Sequence, residues 1–124
     1  MDNGSCIRQK ADVEQIERCR DRVTGLENTF DIVSSVLELA GNKVRLKILF
    51  SLHEEQRLCV CDISDIMGMT ISSISQHLRK LKDRNLIETE REAQAIFYSL
   101  TTKKLHILQP MFQILQEYNE LTPA

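Results

Sequence analysis

The stretch Asp62-Ile63-Ser64-Asp65-Ile66-Met67-Gly68-Met69-Thr70-Ile71-Ser72-Ser73-Ile74-Ser75-Gln76-His77-Leu78-Arg79-Lys80-Leu81 decides the fold of this chain. Asp62 with Asp65 three residues on resembles a capping box, so a short helix is expected from about Ile63 to Met67. Gly68 ends it, Met69 fills the turn, and Thr70 caps a longer helix running from Ile71 to about Arg84. Two helices joined by a tight glycine-containing turn make a helix-turn-helix.

The second helix has two faces. Ile71, Ile74, Leu78 and Leu81 recur at spacings of three, four and three and are expected to pack inward, which turns Ser72, Ser73, Ser75, Gln76, Arg79 and Lys80 to solvent. Short hydroxyls at the N-terminal end allow close approach to base edges, and Gln76 can pair bidentately with adenine. Arg79, Lys80 and Arg84 suit phosphates, which supply affinity but little sequence information. Between Thr70 and Asn85 four cations (Arg79, Lys80, Lys82, Arg84) stand against Asp83 alone, although the whole chain has a net charge of −2. His77, at the edge of the apolar stripe, reads as a packing or surface residue, as do His53 and His106. Taken alone, the segment is equally an amphipathic helix with a solvated face. The short helix before it and the hairpin after it turn the balance toward double-stranded DNA as the partner.

That hairpin comes from Leu86-Ile87-Glu88-Thr89-Glu90 and Ala95-Ile96-Phe97-Tyr98-Ser99-Leu100, joined by a polar tip near Glu92-Ala93-Gln94. Placed directly after a reading helix it is a wing, with Arg91 and Gln94 as candidates for DNA contact. Upstream, Val13, Ile16, Val23 and Leu26 are sparsely helical with Gly25 as a stop. Phe30, Val33, Val36, Leu37 and Ala40 trace another helical face closed by Gly41, and Asn42 can cap the helix that follows. Downstream, Leu105, Leu108, Met111, Phe112, Leu115 and Tyr118 recur at helical spacing, and Pro110 must kink that helix or start its second half. The fold expected is mainly α with a small β-hairpin, a winged helix-turn-helix. Residues 1–27 form an arm and short helix, with residues 1–11 as an irregular arm, and residues 28–120 form the main domain.

Composition closes off other classes. At 124 residues, 42% hydrophobic and 27% charged, the chain is one ordinary globular domain. No apolar run approaches the roughly 18 residues that span a bilayer, so no membrane partner is expected. Met1 to Cys6 lacks the basic-then-apolar pattern of a secretory signal, which makes a cytoplasmic location the expectation. There is no glycine-rich phosphate loop and no nucleophile elbow, so the chain is not read as an enzyme.

In a reducing compartment, four cysteines are ligands, redox sensors or core residues before they are structural disulfides. Cys59 and Cys61 flank Val60 in Leu58-Cys59-Val60-Cys61, which reads as extended, so both sulfurs face one side. Thiolates select soft or borderline ions such as Cd, Pb, Hg, Zn, Bi or As. Two sulfurs do not close a site, and Cys6 and Cys19 are the remaining thiols. The plainer alternative is a pair of small buried hydrophobes.

Leu58-Cys59-Val60-Cys61-Asp62-Ile63 and Met69-Thr70-Ile71-Ser72-Ser73-Ile74-Ser75-Gln76-His77-Leu78, with the earlier Gly41-Asn42-Lys43-Val44-Arg45-Leu46-Lys47-Ile48-Leu49, resemble the metal-sensing winged-helix repressors of the ArsR/SmtB family over roughly residues 30–118. The resemblance implies a homodimer joined through its N-terminal and C-terminal helices, and an operator with inverted symmetry. It also implies repression by the metal-free form and release when a thiophilic metal ion binds. The chain looks most like the cadmium/lead-sensing branch, in which arm cysteines of one subunit join the C-V-C pair of the other. Cys59 and Cys61 carry over directly, with Cys6 and Cys19 as the arm candidates. The branch spaces its arm cysteines four apart, whereas Lys10 stands four after Cys6, so three-sulfur and four-sulfur sites both remain open. Ser64 replaces the third cysteine of the arsenic-sensing C-V-C-D-x-C pattern, and Thr102 and Lys104 stand where the zinc-type second site needs Asp and His.

A thiol redox or persulfide sensor of the same fold is the competing reading, its bridge reaching from Cys59 or Cys61 to Cys6 or Cys19, since adjacent C-x-C thiols close a strained ring. A winged helix used only for protein contacts is a third, and the basic reading helix argues against it.

Overall fold

A computed structural model of the chain describes residues 6–121. Six helices and three strands follow in the order α1 (Val13–Gly25), α2 (Glu27–Ala40), α3 (Lys43–Glu55), β1 (Leu58–Cys59), α4 (Val60–Met67), α5 (Ile71–Asp83), β2 (Ile87–Glu92), β3 (Ala95–Leu100) and α6 (Thr102–Leu121). The chain divides into two compact units, Met1–Asp31 and Ile32–Ala124. In the first, the Asp12 side chain accepts a hydrogen bond from Gln15 N–H at 3.1 Å and caps α1, none of whose side chains is buried. The arm expected over residues 1–11 lies partly outside the described residues.

The second unit is built on one apolar core. Val36, Leu39 and Ala40 from α2, Ile48, Leu49 and Leu52 from α3, Ile63 from α4, Ile74, Leu78 and Leu81 from α5, Leu86 and Ile87 at the foot of the hairpin, and Leu108 and Phe112 from α6 are all buried. Gly41 separates α2 from α3, where a Cβ would meet the Leu37 carbonyl oxygen at 2.9 Å. Asn42 then caps α3, its Oδ1 accepting from Arg45 N–H at 3.1 Å. Pro110 lies inside α6, which continues through it. Its missing N–H leaves one helical acceptor without a donor on an exposed side of the helix, where water can serve. Among the described residues no helix is long and apolar enough to cross a membrane.

The hairpin pairs Ile87 with Leu100 through Glu92 with Ala95, and a two-residue turn at Ala93-Gln94 closes it. β1 adds a third strand, giving the antiparallel order β1-β3-β2. The sequence reading of Leu58 onward as extended holds for Leu58 and Cys59, but two residues are too few to reveal that they pair with β3 as a third strand.

Two local expectations are corrected. Leu58 to Cys61 is not extended throughout: β1 stops at Cys59, and α4 begins at Val60 with Cys59 as its N-cap. The apolar positions explain this start, since Val60, Ile63 and Met67 fall at helical spacings of three and four and all pack on the core. Asp62 is therefore a first-turn acid facing the positive end of the helix rather than a cap. Leu37 and Phe30 are half exposed, as is Ile71 at 49%, so the inward stripe of α5 begins one turn later at Ile74.

Candidate nucleic-acid interface and thiol site

The turn between α4 and α5 is held by three local bonds. Gly68 caps α4 in the left-handed conformation at φ 65°, its N–H donating to the Ser64 carbonyl. Met69 N–H donates to the same carbonyl at 3.2 Å, and Ser64 Oγ donates back to the Met69 carbonyl. Thr70 Oγ1 then accepts from Ser73 N–H at 3.1 Å and starts α5. Ser64, notable in the sequence for not being cysteine, thus ties the two helices of the motif together.

On α5, Ser72, Ser75, Gln76, Arg79 and Lys80 are exposed along one side, and Ser73 is half-buried. Ile71 stands exposed beside Ser72, an apolar surface of the kind that takes a thymine methyl. Sequence periodicity assigned it to the core, and only the position of the core edge reveals otherwise. Arg84, the C-cap of α5, donates from Nη1 to Ser35 Oγ on α2 at 2.6 Å, so its guanidinium also fastens the end of the reading helix. Arg91 and Gln94 are exposed on the outer strand and at the wing tip.

His77 is half-buried behind this surface. Its Nδ1 lies 3.4 Å from Arg45 Nη1, and Arg45 Nε donates to the Leu39 carbonyl at 2.8 Å. Burial, then the positive charges of Arg45 and Lys80, hold the imidazole below its ordinary 6.5. The neutral ring can accept from Arg45 and so links α5 to α3. His53 packs against the Phe112 ring, centroids 4.5 Å apart, and His106 is exposed on α6.

The thiol pair straddles a junction. Cys59 is half-buried at the end of β1, paired with Phe97 of β3, while Cys61 is exposed in the first turn of α4. Strand alternation therefore does not orient the two sulfurs; the strand-to-helix turn does. Cys6 and Cys19 are both exposed, and all four thiols are free. Among the described residues of one copy, no three His, Cys, Asp or Glu side chains stand together as an ion site. Chemically the pair fits half of a soft-metal site, whose other donors would have to come from elsewhere. Thr102 and Lys104 stand in the first turn of α6, which contains no acid.

Arg57, unremarked in the sequence, lies two residues before Cys59. It stacks over Phe97 with Cζ 4.1 Å from the ring centroid and pairs with Glu90 and Glu92 of the wing.

The family model described as bacterial regulatory protein, arsR family, matches residues 42–89, which run from the cap of α3 into β2. The cadmium resistance transcriptional regulatory protein CadC of Listeria innocua is 25% identical over 105 residues, covering 85% of this chain and 87% of that protein. The crystal structure of NolR from Sinorhizobium fredii is 31% identical, with a TM-score of 0.59, covering 86% of this chain and 96% of that one. A Mycobacterium bovis protein described as a homodimeric winged helix-turn-helix DNA-binding domain has a TM-score of 0.63 at 26% identity, covering 75% of this chain and 85% of that one. With its capped helix pair, its wing and these relatives, the chain belongs to the ArsR family of winged helix-turn-helix DNA-binding transcriptional regulators, which are not enzymes.

Proposed function

We propose that this regulator is a metal-responsive repressor that holds an operator of inverted symmetry as a metal-free homodimer and lets go when a thiophilic ion binds. Cys59 and Cys61 supply two thiolates, and Cys6, Cys19 or both supply the rest from the arm of the second copy. Similarity to a cadmium resistance regulator along most of the chain supports a cadmium- or lead-like inducer. The observation that carries the reading is the position of the pair. Cys59 lies in a strand hydrogen-bonded to the wing, and Cys61 lies in the helix joined to the reading helix by the Ser64–Met69 bonds. A chelate closing on both sulfurs grips the two DNA-facing elements at their common root.

On DNA, Ser72, Ser73, Ser75 and Gln76 read base edges while Arg79, Lys80 and Arg84 meet phosphates, with Arg91 and Gln94 on the wing. Two copies place two reading helices in successive major grooves. Dimer contacts come from the N-terminal and C-terminal helices; Ile114, Leu115 and Tyr118 on α6 are exposed and fit that role. The ion acts only through its different affinity for the DNA-competent and DNA-incompetent dimers, a coupling of about 1–3 kcal/mol in typical allosteric systems.

Cys59→Ser and Cys61→Ser are expected to leave affinity for an operator duplex unchanged and to abolish its release by cadmium or lead. Fluorescence anisotropy of a duplex selected from genomic fragments measures both. Variants that still release the duplex on metal addition would remove the pair from the site. An oxidant titration of the same complex separates a redox or persulfide switch from a metal switch.

A further inference from the structure

The wing carries an acidic excess that a DNA-facing hairpin should avoid. Between Ile87 and Leu100 stand Glu88, Glu90 and Glu92 against Arg91 alone. Carboxylates near the tip lie within a Debye length, about 8–10 Å at ordinary salt, of any phosphate the wing approaches.

Register shows what answers this charge. Glu90 stands opposite Phe97 and Glu92 opposite Ala95, so all four share one face of the sheet, and Cys59 joins them through its own pairing with Phe97. Arg91, one residue out of step, is on the other face. Arg57, two residues before Cys59 and beside the opposite edge of the sheet from β2, lays its guanidinium over Phe97 and reaches across β3 to both acids. Nη1 is 3.5 Å from Glu90 Oε1, and Nη2 donates to Glu92 Oε2. All three side chains keep substantial exposure, 43% for Arg57, 75% for Glu90 and 58% for Glu92, and exposed ion pairs add little to folding stability. The consequence of the cluster lies in the charge shown to a partner.

We propose that Arg57 is a positioning residue for DNA binding, which holds Glu90 and Glu92 over Phe97, offsets one of their two negative charges and so eases the approach of the wing to the phosphate backbone. The inference rests on the wing facing DNA. It does not depend on metal.

The test is anisotropy of a mixed-sequence duplex across a salt series, with the full chain in metal-free buffer. Arg57→Gln is expected to weaken binding roughly three- to ten-fold at about 0.1 M salt, as two uncovered carboxylates face phosphates. In a Glu90→Gln/Glu92→Gln background the same substitution is expected to change affinity less than about two-fold, because the pairs it served are gone. Arg57→Lys restores the charge and is expected to recover most of the affinity.

An equal loss in both backgrounds, no loss in either, or an Arg57→Lys variant as weak as Arg57→Gln overturns the proposal. So does an unfolded Arg57→Gln by circular dichroism, since an exposed pair should not hold the fold. If the wild-type chain itself shows no salt-sensitive binding, the DNA reading fails instead, and the two failures are distinct.

Discussion

His77 shows how a single side chain on the reading helix links fold to solution conditions. Its pKa is held below 6.5 first by burial and then by Arg45 and Lys80, so the folded chain prefers the neutral ring. A depressed folded value means that the unfolded chain binds the proton more tightly. The stability this group protects is present above 6.5 and is lost as pH falls through the lowered folded value. The thermal midpoint of the wild-type chain should therefore fall more steeply from about pH 7 to about pH 5 than that of His77→Gln, which keeps an acceptor for Arg45 without titrating. Parallel curves for the two proteins would show that His77 is not the group involved. The sequence placed His77 at the edge of the stripe and read it as a packing residue. Its partner Arg45 lies 32 positions away and enters only through the packing of α3 on α5.

At the scale of elements, the turn of the motif and the tip of the wing are a matched pair. Gly68 sits at φ 65° with nothing within 4 Å of an added Cβ, so Gly68→Ala has backbone strain as its only steric cost, about 1–2 kcal/mol. Ala93 adopts φ 57° at the wing tip, and Ala93→Gly should recover roughly 0.5–1 kcal/mol there. Urea unfolding of the two variants tests both signs; a Gly68→Ala chain as stable as wild type would contradict this account of the turn.

The helix pair was legible because each of its signals is local: Thr70 before an apolar period, Gly68 after one, and a Gly-containing turn between. The start of α4 was not. Asp62 and Asp65 imitate a cap, while the burial of Val60, Ile63 and Met67 against other elements decides where the helix begins. Arg57 was invisible for the same reason, since its partners lie 33 and 35 residues on and meet it only when β3 comes between them.

At the scale of the molecule, α6 closes the core of the second unit through Phe112. Its ring is 1% exposed, lies 6.1 Å from Phe50 edge to face, and packs on His53. Phe112→Ala should cost about 3–5 kcal/mol, a large part of the 5–15 kcal/mol typical of a small domain, and lower the urea midpoint accordingly. A shift of less than about 1 kcal/mol would mean that α6 is not part of the cooperative core.

The thiol pair and the exposed polar side of α5 are likewise short motifs visible in the sequence, and their roles in metal and DNA binding are proposed. The remaining donors of the proposed metal site are not legible, because two thiols cannot close such a site and, among the described residues of one copy, no group of three His, Cys, Asp or Glu side chains stands together. That gap sets the decisive experiment. Cadmium, and separately lead, is titrated into the wild-type protein bound to its operator duplex, with thiolate-to-metal absorption and duplex anisotropy followed in the same cuvette. Both signals are expected to change together and saturate at one ion per site, with affinity for the duplex falling by roughly 5- to 150-fold. An absorption band that saturates while the duplex stays bound would contradict metal-triggered release.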